Sequence, residues 1–419
     1  MTASTGERAP QAQREPSEIF DDLFGGVVMD PFPLYDELRE IGDGIHFSEL
    51  LQSYVVTRHA DARRIGSDHR TFSSDIFAIT PAGIHDPNDP EHLRFATIAS
   101  RLFMLTDPPV HTRIRSTFRA AFTPDAVKRW EPTIAQATKE LLDDYQVGQE
   151  VDIMPRFAAD VPVAVVAAVL GVPREAWSKF REWSFGYAST FDPLVQGERR
   201  DAAIRTSLEL FDYLAELIDA RRAEPQEDLI TTLVEAETID GDRMETAEML
   251  AQVALLLVAG NETTTNLIGN GLTLLFDNPE ARAALAADSS LIPRAVEEML
   301  RIDPPLHITM RRVTQEVTIG DHTIPEGAVV APCIVSANRD PRVFEDPNAF
   351  DIHRDSSKHL AFYHGIHFCV GAPLARMEGL VVFEEILKRF PDIRPGSEPA
   401  IRRTLNAVSR GWETRPVQL

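Results

Sequence analysis

One cysteine is placed to act as a metal ligand. Cys369 lies in Phe362-Tyr363-His364-Gly365-Ile366-His367-Phe368-Cys369-Val370-Gly371-Ala372, directly ahead of a helical pattern. A thiolate near a helix N-terminus gains from the dipole and from backbone N–H groups that lack an intrahelical partner. Gly365 permits an unusual backbone and a close approach. Gly371 lets the helix press against a flat ligand, and Phe362 can shield the sulfur from water. These are the demands of a thiolate bound axially to the iron of a macrocycle. A bare cysteine in a glycine-containing turn is more often an inert, buried small hydrophobe. The pattern around Cys369 reverses that reading. Zinc fits poorly, because it takes four ligands and no partner cysteine is near.

A second chemical feature interrupts an apolar stretch. Residues 246–276 read as one helix of roughly 46 Å, and Gly260-Asn261-Glu262-Thr263-Thr264-Thr265 falls inside it. Glycine and β-branched threonines weaken a helix, and threonine hydroxyls bond back to the preceding turn and bend it. The bland account is a satisfied polar kink. The functional account is an oxygen pocket, where a hydroxyl and a carboxylate deliver protons. Neighbours on a helix are about 100° apart, so Glu262 and Thr263 face different ways.

Two further sets are weaker alone. Glu298 and Arg301 form a Glu-x-x-Arg at helical spacing ahead of Pro304-Pro305; a surface pair of this kind contributes only about 0.2–0.5 kcal/mol. His111 and Arg115 are four apart and share a helix face.

Together these segments resemble the haem-binding, oxygen-helix and Glu-x-x-Arg motifs of the cytochrome P-450 family. Phe362, Gly365, Cys369 and Gly371 are in register with its haem signature, and Tyr363 departs from it, standing where the family usually has glycine. The matches run from residue 107 to 371, with weaker similarity almost to both ends. The resemblance implies haem b with Cys369 as iron ligand, and His111, Arg115, Arg311 and His367 on the propionates. It implies Thr263 beside the oxygen, Glu262 in a proton relay, and Arg354 joining Glu298 and Arg301 in a structural lock. Leu255, Val258, Ala259 and Ile308 would line a substrate pocket, roofed in part by the irregular residues 72–91. The implied fold is a single, mainly α domain with a small β region, its long central helix over the haem and the cysteine loop beneath.

The implied reaction is monooxygenation: one atom of O2 enters a hydrophobic small molecule. No Gly-x-Gly-x-x-Gly loop or cysteine cluster marks a fused electron donor, so a separate ferredoxin with an NAD(P)H-dependent reductase is implied. Two alternatives differ in class. A peroxide-driven peroxygenase would lack the acid–alcohol pair, and a non-catalytic haem sensor would carry an output domain. Terpenoid, steroid, aromatic and fatty substrates all remain open.

The elements that must position these residues are mostly helical. The chain has 419 residues and 43% hydrophobic content, enough for a large core; length alone suggests two or three domains. Helices are expected over 35–41, 59–65 and 372–390, and strands over 45–47, 54–57, 317–319 and 328–330. Residues 1–17 read as a disordered tail, leaving 18–419 as the catalytic domain. The runs 161–172 and 251–276 are too short or too interrupted to span a bilayer. Two cysteines make no disulfide framework and point to a reducing cytoplasm; Cys333, in an apolar stretch, reads as core. A net charge of −23 argues against nucleic acid and anionic membranes. Arg113, Arg119, Lys358 and Arg376 are expected to form a local basic patch for an acidic ferredoxin, and Tyr363 to cover the approach to Cys369.

Overall fold

The computed structural model describes residues 14–25, 28–76, 88–118, 121–192, 195–403 and 408–419. The helices that position the site, in chain order, begin with α1 (Pro16–Gly25), α2 (His59–Ser67) and α3 (Val110–Ser116). A helical body follows: α4 (Asp160–Val169), α5 (Trp177–Ser189), α6 (Glu198–Ala223), α7 (Thr246–Asp277) and α8 (Ile292–Ile302). Helix α9 (Ala372–Arg389) leaves the cysteine loop. A five-stranded sheet comprises β1 (Ile45–Ser48), β2 (Ser53–Val56), β3 (Phe72–Ser73), β4 (Arg311–Val313) and β5 (Val329–Pro332), in the order β1-β2-β5-β4-β3. Only β2 and β5 run parallel, in the register Tyr54↔Val330.

Helix α7 has 32 residues, about 48 Å. A reciprocal capping box of Glu245 and Glu248 starts it. Its apolar residues face several ways, because α4, α5, α6, α8 and α9 all pack on it. Gly260 answers to this packing: a Cβ there would come within 2.7 Å of Val166 on α4. The helix runs unbroken through the polar patch, because the threonine side chains find partners. Thr265 Oγ1 donates to Asn261 O at 2.9 Å, and Asn261 Nδ2 to Ser184 Oγ at 2.8 Å.

Most expected elements stand within a few residues of their places. Helix 35–41 is Phe32–Glu40, 59–65 is α2, and 372–390 is α9. The strand at Val317–Ile319 pairs with His322–Ile324. Helix α1 begins at Pro16, two residues inside the segment expected to be a tail. Cys333 is fully buried and packs with Ile19, Tyr35 and Val55. Among the described residues no helix is long and apolar enough to cross a membrane.

Candidate active site

The cysteine loop is held from below by α2. Gly365 has φ +78, and a Cβ there would stand 1.9 Å from Gly66 O, so no side chain fits. The chain then turns so that Cys369 N donates to Phe362 O at 3.0 Å. Gly371 caps α9, and a Cβ on it would lie 3.9 Å from Cys369 Sγ. Sulfur and helix N-terminus therefore face one another closely. Burial pushes the Cys369 thiol up, while the backbone N–H groups of Gly371 and Ala372 and the charges of Arg115 and Arg376 pull it down. The cysteine lies deep in the protein, yet its side chain opens onto a recess.

Beside that recess sits an excess of donors. The rings of His111 and His367 touch, centroids 4.3 Å apart, and all four of their nitrogens are buried without a hydrogen-bond partner. Burial, together with the positive charges of Arg115 and Arg311, depresses His111 to about 4 and His367 to about 2. Arg115 donates to Phe368 O, next to Cys369. Arg311 is 7% exposed, and among the described residues no carboxylate lies within ion-pair distance of it. A guanidinium buried without a counter-ion is costly. Orphaned imidazoles and uncompensated guanidinium groups around a recessed thiol suit a flat iron macrocycle that carries two carboxylates.

On α7, Thr263 Oγ1 donates to Ala259 O at 2.6 Å. Glu262 turns the other way: its Oε1 accepts from Arg403 Nη1 and Ser409 Oγ, both at 2.7 Å. Leu255 and Val258 are buried in the main core, and Ala259 is open. Ile308 does not join them. It is fully buried, forms a β-bridge with Cys333 and belongs with Ile19, Tyr35 and Val55 to a separate cluster. Of the expected roof, residues 77–87 lie outside the described residues, and Pro90–Ala99 is a helix.

The structural lock is a buried triad. Arg301 grips Glu298 at 2.7 and 2.8 Å with both side chains fully buried, and Arg354 Nε reaches Glu298 at 3.1 Å. Arg301 also donates to the carbonyls of Asn338, Pro347 and Ala349, which fastens the chain ahead of the cysteine loop to α8.

A parallel clamp escaped sequence reasoning. Glu297 binds Arg376 of α9 at 2.6 and 2.9 Å and meets His359 at 3.2 Å. It does so despite burial, and these bonds to His359 and Arg376 hold its carboxyl down at about 2. Sequence offered only a second glutamate beside Glu298, four residues before Arg301 and with no sign of Arg376 or His359 as partners. Glu378 on α9 was missed too. It is buried, accepts from Thr264 Oγ1 at 2.8 Å, and leaves Oε1 without a partner. Burial raises its carboxyl to about 8.

The expected basic patch is largely spent. Arg113 pairs with Glu248 at the head of α7, and Arg376 pairs with Glu297; Arg119 lies outside the described residues. Tyr363 is also placed differently. It does adopt the left-handed backbone, with φ +57, which costs about 1–2 kcal/mol. Its ring, however, turns inward against α2 and the cluster of Ala62, Ile334, Ala337 and Leu360. It does not lie across an outer approach to Cys369.

Comparison with known proteins agrees with this arrangement. The family model described as Cytochrome P450 matches residues 80–410. Cytochrome P450 107B1 of Saccharopolyspora erythraea is 39% identical over 95% of this chain and 96% of its own. The 6-deoxyerythronolide B hydroxylase of the same organism is 35% identical over 93% and 96%. The solved structure of the Bacillus subtilis bacillaene polyketide synthase cytochrome P450 PksS superposes with a TM-score of 0.83 at 34% identity, covering 93% and 97%. The chain is a member of the cytochrome P450 family, the haem b monooxygenases, in its bacterial form.

Proposed function

We propose that this chain inserts one oxygen atom from O2 into a hydrophobic small molecule, with electrons from a separate ferredoxin and its NAD(P)H-dependent reductase. The observation that carries the reading is Cys369 at the head of α9, beside an uncompensated set of buried donors. Haem, when bound, supplies the activation of dioxygen. Cys369 would hold its iron, and His111, Arg115, Arg311 and His367 its two carboxylates.

The chain's own part is orientation and proton supply. Leu255 and Val258 offer an aliphatic wall that orients an apolar substrate and excludes water, and Ala259 beside them leaves room. Thr263 has its proton committed to Ala259 O, so its oxygen is free to accept a hydrogen bond from the pocket. Glu262, reached by Arg403 and Ser409, sits one residue away, where a proton from the C-terminal side can be received. A peroxide-driven enzyme has no use for this pair. Relatives named 6-deoxyerythronolide B hydroxylase and vitamin D(3) 25-hydroxylase support a hydroxylation of this kind.

The first test is spectral. The reduced carbon monoxide complex should show the strongly red-shifted Soret band of thiolate ligation, and Cys369→Ala should abolish it. A Cys369→Ala protein that kept the band would overturn the assignment. A binding screen of polyketide lactones and steroids, followed by turnover with ferredoxin against peroxide alone, tests substrate and electron source.

A further inference from the structure

Arg311 is a buried cation with few protein partners. Its Nη1 donates to Met310 O at 2.6 Å and to Thr309 Oγ1 at 3.1 Å, both close neighbours in sequence. Its nearest acidic influence is Asp107, whose carboxylate is already engaged by Ser73 Oγ and Ser74 N. The other group against Arg311 is an aromatic face: its guanidinium carbon lies 4.9 Å from the centroid of the Tyr363 ring.

That ring cannot retreat. Behind it stands Gly66 of α2, where even a Cβ would come within 3.2 Å of Tyr363 Cζ. The ring also packs against the cluster of Ala62, Ile334, Ala337 and Leu360. Tyr363 reaches this place only through a left-handed backbone, and its hydroxyl is buried without a partner. Strain and an orphaned hydroxyl are both unfavourable, so the packing of the ring, its contact with Arg311 included, offsets them. A cation over an aromatic face is most effective where water is excluded.

We propose that Tyr363 is a positioning residue: its ring is a fixed floor that keeps the Arg311 guanidinium aimed at the haem carboxylates, before and after haem binds. The inference rests on the reading of Arg311 as a propionate partner. It assigns a purpose to the residue that departs from the family pattern. The ring face, rather than the hydroxyl, is the working part.

The experiment follows haem transfer from the purified holoprotein to excess apomyoglobin. Tyr363→Phe keeps the ring and should lose haem at the native rate. Tyr363→Leu keeps bulk without a π face and should lose haem about tenfold faster. Arg311→Gln should also accelerate loss, and the Tyr363→Leu/Arg311→Gln double variant should be no faster than Arg311→Gln alone. Resonance Raman bands of the propionates should shift in Tyr363→Leu and not in Tyr363→Phe. Should Tyr363→Leu fail to fold, Tyr363→Gly relieves the backbone and removes the ring, and should show the same fast loss. Native retention in the leucine or glycine variant overturns the proposal. So does a phenylalanine variant as leaky as leucine, or losses that simply add in the double variant. Native retention in Arg311→Gln would instead remove the propionate reading itself.

Discussion

A hydroxyl has one proton to give, and Thr263 gives it to Ala259 O at 2.6 Å. To hand a proton into the pocket, that bond must break or be exchanged. In the proposed relay that proton is replenished by way of Glu262, whose Oε1 is held by Arg403 and Ser409 from the C-terminal segment. Thr263→Ala should therefore bind haem and substrate but divert electrons to hydrogen peroxide, with product per NAD(P)H falling roughly tenfold or more. Glu262→Gln keeps an oxygen for Arg403 and Ser409 while removing the acid, and should slow turnover without that diversion. Measuring NAD(P)H consumed, product and peroxide separates the two effects; unchanged coupling in Thr263→Ala would contradict the relay. The polar break in an apolar helix was legible in sequence, and the family resemblance singled out Glu262 and Thr263 within it. The partners of Glu262 were not, since Arg403 and Ser409 are far along the chain and carry no local sign of where they dock. Ile308, expected in the pocket from the resemblance, packs in another cluster, and only tertiary packing shows which core it enters.

Where α7 meets α9, an acid is buried. Glu378 meets Thr264 there and is otherwise enclosed, so burial lifts its carboxyl to about 8 from an ordinary value of 4.5. The folded protein thus keeps a proton that the unfolded chain releases. For a group with a raised folded value, its contribution to stability is complete below 4.5 and declines as pH rises, levelling off above about 8. Glu378→Gln retains a partner for Thr264 without the titration. The stability of the native protein minus that of Glu378→Gln should fall between those limits, by up to about 1.4 kcal/mol per pH unit, and be flat beyond. Unfolding by denaturant across that range measures it; a difference that ignores pH would show that the acid is not held protonated. The helices of this seam were readable from their helical sequence patterns, with Gly371 ahead of α9. The acid was not, because one glutamate in a helix reads as a solvated face and its burial is decided by packing. Spacing alone offered Glu298 and Arg301 as a pair, and the family resemblance added Arg354 to it; the adjacent Glu297 clamp depends on α9 arriving from far along the chain.

Across the whole molecule, a net charge of −23 repels an acidic electron donor unless a local surface reverses it. Four cations near the haem-anchoring segments looked suitable in sequence, but charge on a chain is not charge on a surface. Arg113 is neutralised by Glu248 and Arg376 by Glu297. Near the cysteine loop, Lys358 and Arg63 are exposed, and among the described residues neither has a carboxylate at ion-pair distance. Both act on His59, and Arg63 also on His364, which places them around one edge of that loop. An acidic ferredoxin attracted there would be screened beyond a Debye length of ~8 Å at physiological salt. Reduction by ferredoxin should therefore slow as salt rises. Lys358→Glu and Arg63→Glu should each slow it at low salt by several-fold and flatten the salt dependence, with unchanged reduction by dithionite. Arg113→Glu should behave differently, lowering stability by leaving Glu248 unpaired at the head of α7 while the salt dependence stays native. Stopped-flow reduction across a salt series, with melting curves beside it, distinguishes the two. If charge reversal at Lys358 and Arg63 leaves the low-salt rate unaltered, the donor docks elsewhere on the molecule.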